Sequence, residues 1–172
     1  SKQLFTLHVL LNTDRNPDAR RRAGEAALHL REAAAKLGEL ANLSVQNFTL
    51  CSEVKGFGVY KPLPKYEVRP GQRLLMYAEI ENFRSQPHDD GYRTAVQGSY
   101  QLLDSRGERV AAEEFAASED QCYQMRRDMF VTYHVSLPTR LPAGAYTLQL
   151  TIEDAIGDKL GQSTLELTVP DR

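Results

Sequence analysis

The hydrophobic pattern of this chain changes its period at about residue 43, from the three-to-four spacing of a helix to the alternation of a β-strand. The second part contains about seven alternating runs, separated by turn-forming residues and with no helical run between them. Strands joined by short turns pair antiparallel, and a strand that is apolar on one face must bury that face against another layer. The sequence therefore predicts a mainly β fold, an antiparallel β-sandwich over residues 42–172.

Several runs show which side chains share the buried face, because successive residues of a strand point to opposite sides. The three clearest faces consist of Leu74, Met76, Ala78 and Ile80, then Met129, Val131, Tyr133, Val135 and Leu137, and then Tyr146, Leu148, Leu150 and Ile152. Residues 43–50, 92–103 and 163–169 form further runs, and a turn at residues 104–107 leads to a return strand that ends near Phe115. These faces are the predicted core.

Residues 1–41 predict an α-helical hairpin instead. Asn16 suits an N-cap and Pro17 the first helical position, while residues 4–11 are an apolar segment suited to a partner helix. The helical face consists of Ala23, Ala26, Ala27, Leu30, Ala34, Leu37 and Ala41. Two short helices bury little core of their own, so we expect the hairpin either to pack against the following domain or to end a longer helical region. Since the chain starts at Ser1, we expect it to be part of a longer protein.

The charge and hydropathy of the chain restrict its partners. Lys and Arg total 21 and Asp and Glu total 23, which gives a formal net charge of -2 and no excess of positive charge to neutralise phosphates. We therefore expect no nucleic-acid partner. The longest apolar run is too short to cross a bilayer, so we expect no transmembrane segment. A protein or a carbohydrate remains as the partner, and the oligomeric state stays open.

Residues 137–169, LPTRLPAGAYTLQLTIEDAIGDKLGQSTLELTV, resemble the last strands of bacterial immunoglobulin-like and fibronectin type III-like domains. Gly144 and Tyr146 match a tyrosine corner, in which a Tyr at the start of the penultimate strand ties back to the preceding loop. Residues 65–82 resemble the entry into the second strand of such domains. The chain departs from the antibody pattern, because it has no Trp and carries Leu148 where antibody domains have their second core Cys.

The resemblance implies a fold more than a function, because such sandwiches serve in adhesion, ligand binding, chaperoning and spacing. A helical hairpin joined to this sandwich further suggests an uncharacterised bacterial family. Two cysteines are too few to identify a compartment, so the location stays open, with an extracytoplasmic one slightly favoured.

Cys51 and Cys122 admit three interpretations. A disulfide between them would close a long loop and stabilise the fold, although the standard topology places them at opposite ends of the sheet. Two free thiols are the alternative. The third is a thiol-dependent enzyme in which Cys122 is the nucleophile and His134 the base. No recognisable sequence signature links these two residues.

Residues 51–66, CSEVKGFGVYKPLPKY, follow neither helix nor strand periodicity. Phe57, Tyr60 and Tyr66 could form an exposed aromatic patch for a peptide or a sugar. The interpretation we favour is an ordered loop that covers a sheet edge and packs these aromatic rings inward. A further alternative is a protease inhibitor that presents the loop 61–66.

We conclude from the sequence that the chain is a noncatalytic binding or structural module. No cofactor and no metal are expected. The nitrogen and oxygen donors of His88, Asp89 and Asp90 lack ligand spacing and suit a polar turn better than an ion site. The carboxylates of Glu153, Asp154 and Asp158 are likewise explained by a hairpin turn.

Overall fold

A computed structural model describes residues 18–171 and divides the chain into two compact units, residues 1–41 and 42–172. Within the first unit, helix α1 spans Ala19–Leu40. Its N-cap is Asp18, whose carboxylate accepts hydrogen bonds from the backbone N–H groups of Arg20 and Arg21 at 2.9 and 3.3 Å. The predicted cap at Asn16 and the predicted partner helix lie outside the described residues, so the structure shows one helix and leaves the hairpin a prediction.

The face expected for α1 is exposed for the most part. Ala26 is the buried member among the described residues of this helix, whereas Leu30 and Leu37 are exposed, as are Leu28 and Leu40 on its other sides. The small alanine side chains of this face offer little apolar area to bury, so spacing alone overstates how much of it is covered.

Within residues 42–171, the structure describes ten strands. They are β1 (Ser44–Gly56), β2 (Val59–Pro62), β3 (Arg73–Glu81), β4 (Gln86–His88), β5 (Gly91–Asp104), β6 (Arg109–Glu114), β7 (Ser118–Cys122), β8 (Asp128–Ser136), β9 (Gly144–Asp154) and β10 (Lys159–Val169). Seven of them are the runs predicted from the sequence. The short strands β2, β4 and β7 are additional, because segments of three to five residues are too short to show a period.

Two antiparallel sheets share one core. The four-stranded sheet has the order β2-β1-β3-β8, and the six-stranded sheet has the order β10-β9-β5-β4 with β6 and β7 also paired to β5. The mainly β, sandwich-like architecture predicted from the sequence is confirmed. The predicted core faces of β3 and β9 are buried throughout, and on β8 all members of the face are buried except Tyr133, which is partly buried against the core.

The start of β9 is fixed by its own tyrosine. Tyr146 is buried, and its hydroxyl donates a hydrogen bond to the carbonyl of Pro142, four residues upstream, at 2.8 Å. Gly144 lies between them at a φ of +149°, a conformation that side chains rarely adopt. This contact ties the β8–β9 loop to the strand that follows it.

Residues 51–66 are more regular than the sequence indicated. Residues 51–56 continue β1, a two-residue turn at Phe57 and Gly58 follows, and β2 returns. The expectation of an irregular loop was wrong because most of residues 52–62 are exposed, and a hairpin with little contact to the core carries no apolar alternation. Two irregularities in the β1–β2 register disturb the period further.

Gly98 on β5 lets an aromatic pair close the side of the core. A Cβ at residue 98 would lie 2.4 Å from the hydroxyl oxygen of Tyr133, whose ring stacks on Phe115 with centroids 4.0 Å apart. We predict that Gly98→Ala lowers the free energy of unfolding by about 1–3 kcal/mol, because the packed ring has to move. Gly56→Ala is the control, since no atom lies within 4 Å of its Cβ position. Urea unfolding tests both variants, and equal stabilities would contradict the packing described.

Candidate functional site

The outer face of the four-stranded sheet is the face opposite the core, and it carries a buried tyrosine. Tyr77 on β3 alternates with the core residues Met76 and Ala78, yet its relative exposure is 0%. Something must therefore cover the sheet at this point. The β1–β2 hairpin covers Tyr77, because Gly58 in its turn and Tyr60 on β2 both contact this side chain of β3.

The turn of this hairpin is fastened to Tyr77. The backbone N–H of Gly58 donates to the Tyr77 hydroxyl at 2.8 Å, and that hydroxyl donates in turn to Oε1 of Glu79 at 2.7 Å. Asn47 donates to the other carboxylate oxygen of Glu79, also at 2.7 Å. Gly58 adopts a φ of +66°, which a glycine accepts without strain. The chain of hydrogen bonds fixes the position of the turn above the sheet.

Contacts between aromatic rings also hold the β1–β2 hairpin against the sheet. We call Phe57, Tyr60, Tyr77 and Phe130 the aromatic cluster. Tyr60 lies over Tyr77 with centroids 4.2 Å apart, and Phe130 of β8 lies 5.7 Å from Tyr77 on the same face. Phe57 meets Phe130 edge to face at 6.3 Å. Such pairs favour one relative position of the hairpin and the sheet.

The outermost part of this arrangement is apolar and exposed. We call Phe57, Gly58 and Val59 the hairpin tip. Phe57 has a relative exposure of 46% and Val59 one of 57%, while Tyr60 and Phe130 beside them are partly buried. The tip therefore shows two large apolar side chains to solvent on a backbone that is hydrogen-bonded to the sheet.

Tyr66 belongs to a different contact from Phe57 and Tyr60. Its hydroxyl lies 2.8 Å from that of Thr49, and its backbone carbonyl accepts from the N–H of Thr168 on β10 at 2.9 Å. Val68 donates to the carbonyl of Thr168, so residues 66–68 run beside β10 as a short parallel addition. The three aromatic residues predicted as one patch therefore lie in two places. Phe57 and Tyr60 belong to the β1–β2 hairpin, whereas Tyr66 lies beside the edge of β10.

The loop 61–66 connects the two sheets and is bonded on both sides. Pro62 pairs with Cys51, and Leu63 donates to the carbonyl of Leu50 at 2.8 Å. Leu63 and Tyr66 pack against the core. A loop fastened in this way does not have the protruding form that an inhibitor presents to a protease.

The disulfide considered from the sequence is not formed, since both thiols are free. Cys51 is buried on β1 of the four-stranded sheet, where burial raises the pKa of its thiol. Cys122 ends β7 in the other sheet, and its sulfur accepts a hydrogen bond from Nε of Arg126 at 2.9 Å. Because the two residues lie in different sheets, each thiol has its own surroundings.

His134 lies in the same sheet as Cys51, whereas Cys122 lies in the other sheet. Leu75 pairs with Cys51 on one side and with His134 on the other, so His134 lies two strands away from that thiol. Cys122 lines a cavity of about 250 Å³ together with His88. Nothing in this arrangement brings the predicted nucleophile and base together.

Asp154 is a structural residue that the sequence did not reveal. Its carboxylate is 0% exposed and accepts hydrogen bonds from the N–H groups of Arg84, Ile156 and Gly157 at 2.7, 3.1 and 3.0 Å. It links the β9–β10 turn to the segment after β3. Within residues 18–171 no group of three or more His, Cys, Asp or Glu side chains is arranged to hold a metal ion.

The pKa values of three tyrosines of this unit are raised, those of Tyr77 and Tyr133 more strongly than that of Tyr100. Burial is the main cause that raises the pKa of Tyr133, and that of Tyr77, to about 12. An unfolded chain loses these protons near pH 10 and the folded chain holds them, so we predict that the free energy of unfolding falls as the pH rises from about 10 to about 12. Urea unfolding at pH 8 and pH 11 measures this fall. Tyr133→Phe should reduce it, and an unchanged pH dependence would refute the assignment.

No protein-family model and no curated protein matches the sequence. Among solved structures, the chain is similar to Spo0M, a sporulation control protein from Bacillus subtilis, with 10% identity and a TM-score of 0.44 over 77% of this chain and 51% of that one. It thus spans about half the length of Spo0M. The C-terminal domain of wzt is similar over 77% of this chain and 75% of that one, with 12% identity and a TM-score of 0.47.

A third similar structure is the alkylpurine DNA glycosylase AlkC from Pseudomonas fluorescens, bound to DNA containing an abasic site analogue. The identity is 15% and the TM-score 0.41, over 96% of this chain and 42% of that one. Values this low transfer no activity and no ligand to the present chain. In the part of the chain that the structure describes, no helix has the length and apolar character to cross a membrane.

Proposed function

We propose that this chain is a noncatalytic binding module and that the hairpin tip is its contact surface. The observation that carries the proposal is a pair of large apolar side chains, Phe57 and Val59, exposed on a turn that the Tyr77 hydroxyl holds in place. Solvent-exposed apolar groups that cluster on an ordered support are typical of interaction sites. A turn held in this way loses little conformational entropy on binding.

The chemistry of the tip favours a protein over a carbohydrate. The two exposed side chains have no hydroxyl, amide or charge with which to bind sugar hydroxyl groups. Phe57 meets Phe130 at an interplanar angle of 77°, so the two rings do not form one flat platform. Tyr66, whose hydroxyl could have added a polar contact, is bonded to Thr49 instead. An apolar patch on a protein is the partner that such a tip fits.

We further infer that the sandwich is immunoglobulin-like. The distribution of strands between the two sheets and the hydrogen bond from Tyr146 to Pro142 support this assignment. It is consistent with binding as the function, and it does not by itself select a ligand.

Site-specific photocrosslinking tests the proposed surface. A photoreactive phenylalanine analogue at position 57 should crosslink one main protein in cells that express the chain, and the same analogue at position 160 is the matched control. Leu160 is exposed to 62% but lies on β10, in the other sheet. The crosslinked protein is then purified, and its affinity for variants of the chain is measured by calorimetry.

We expect Phe57→Ser to weaken that affinity by about tenfold or more, as for an aromatic residue at the centre of an interface, and Leu160→Ser to leave it unchanged. Equal affinities for wild type and Phe57→Ser, or the same crosslinks from both positions, would refute the surface. Loss of binding on a glycan array in Phe57→Ser, without a protein crosslink, would keep the surface and overturn the protein partner.

A further inference from the structure

Within the part of the chain that the structure describes, strand β8 is an edge strand whose outer side has no strand partner. It pairs with β3 over nine residues without a break in register, from Arg73 opposite Ser136 to Glu81 opposite Asp128. Among residues 18–171, β8 forms strand pairs with β3 alone. Its other side therefore presents a row of free backbone N–H and C=O groups, which is a template for another strand.

The other sheet edges among the described residues are partly paired, short or charged. Residues 66–68 pair with part of β10, and β2 is four residues long and ends at Pro62. The β6 and β7 edge is divided into two short strands and carries acidic side chains. In contrast, β8 contains no proline, no lysine and no bulge within its nine residues.

The sequence of β8 is complementary to itself when two copies run antiparallel about Thr132. In that register Thr132 faces Thr132 of the second copy, Phe130 faces His134, and Asp128 faces Ser136. No two like charges stand opposite each other. Hydroxyl pairs and aromatic pairs across antiparallel strands are favourable contacts.

The neighbouring strand adds complementary charge at both ends. Glu81 stands beside Asp128, and Arg73 stands beside Ser136, all on the outer face of the sheet. Pairing two copies about Thr132 would place Asp128 and Glu81 of one chain near Arg73 of the other. The two-fold axis repeats the same contact at the other end of the paired strands. Opposite charges placed in this way favour the register and orientation of the pair.

We propose that β8 is a self-association site, at which two copies of this chain join their four-stranded sheets into one antiparallel eight-stranded sheet. This contact uses the backbone edge of β8 and not the hairpin tip itself, although Phe130 of β8 also touches Phe57 of the tip. One strand pair buries less surface than a standard interface, so the dissociation constant is expected between about 10 and 100 μM.

Sedimentation equilibrium of the full chain tests the proposal. Wild type should change from monomer to dimer as its concentration rises to about 500 μM, well above the expected dissociation constant. Thr132→Lys places two lysines face to face on the two-fold axis and should weaken the dimer about tenfold or more. Thr164→Lys is the matched control, because it makes the same change at an exposed strand position on β10.

A charge exchange provides a second test that does not alter the centre of the strand. Arg73→Glu should weaken the dimer, and combining it with Asp128→Lys should restore it, because the pair is then complementary with reversed signs. A monomer at every concentration would overturn the proposal. So would a dimer that Thr132→Lys leaves intact, or one that Thr164→Lys weakens equally.

Discussion

Replacing Tyr77 by Ala is expected to lower the free energy of unfolding by about 3–5 kcal/mol, as for other large buried aromatic residues. The side chain is fully buried although it lies on the outer face of the sheet. Its loss removes the ring beneath Tyr60 and the hydroxyl that accepts from Gly58. Chemical denaturation followed by far-UV circular dichroism measures the effect.

Tyr77→Phe separates the two contributions. It keeps the ring and leaves the Gly58 N–H without its acceptor, so we expect a smaller loss of about 1–2 kcal/mol. If Tyr77→Ala lowered the free energy of unfolding no more than Tyr77→Phe does, or if neither variant lowered it, Tyr77 would not hold the hairpin in place.

Replacing Asp154 by Ala is expected to cost about 3–5 kcal/mol, because three backbone N–H groups lose their acceptor at a buried site. Asp154→Asn should cost less, since one oxygen remains for Ile156 and Gly157 while the new amide group opposes the N–H of Arg84. Thermal and urea unfolding compare the variants.

Asp104→Ala provides the matched control for Asp154→Ala. The Asp104 carboxylate also accepts from two backbone N–H groups, those of Arg106 and Glu108, but in a solvent-accessible turn. Water can replace it there, so we expect a loss of about 1 kcal/mol or less. Equal losses at positions 104 and 154 would show that burial of the Asp154 carboxylate adds nothing to stability.

The fold could be predicted from the sequence because burial imposes a period. Met76 and Ile80 on β3, and Leu148 and Ile152 on β9, lie on the core side as the alternation indicates. The change from helical to alternating spacing likewise predicts that the helical segment ends near residue 42.

The candidate site could be predicted only in part. The residue types of Phe57 and Tyr60 suggest an aromatic site, but nothing local indicates that Tyr77, seventeen residues after Tyr60, lies beneath the ring of Tyr60. Asp154 likewise reads as a solvated turn residue, because its partner Arg84 is seventy positions away. Contacts of this kind depend on how the chain folds back on itself, which periodicity and turn chemistry do not encode.

Amide hydrogen exchange at Gly58 tests most directly whether the hairpin tip is an ordered surface. We expect the Gly58 amide to be protected about tenfold or more in the wild type, and to lose that protection in Tyr77→Phe while the β3 amides keep theirs. Exchange of Gly58 at the rate of an unstructured peptide in the wild type would contradict the account, because the exposed Phe57 and Val59 would then stand on a mobile loop.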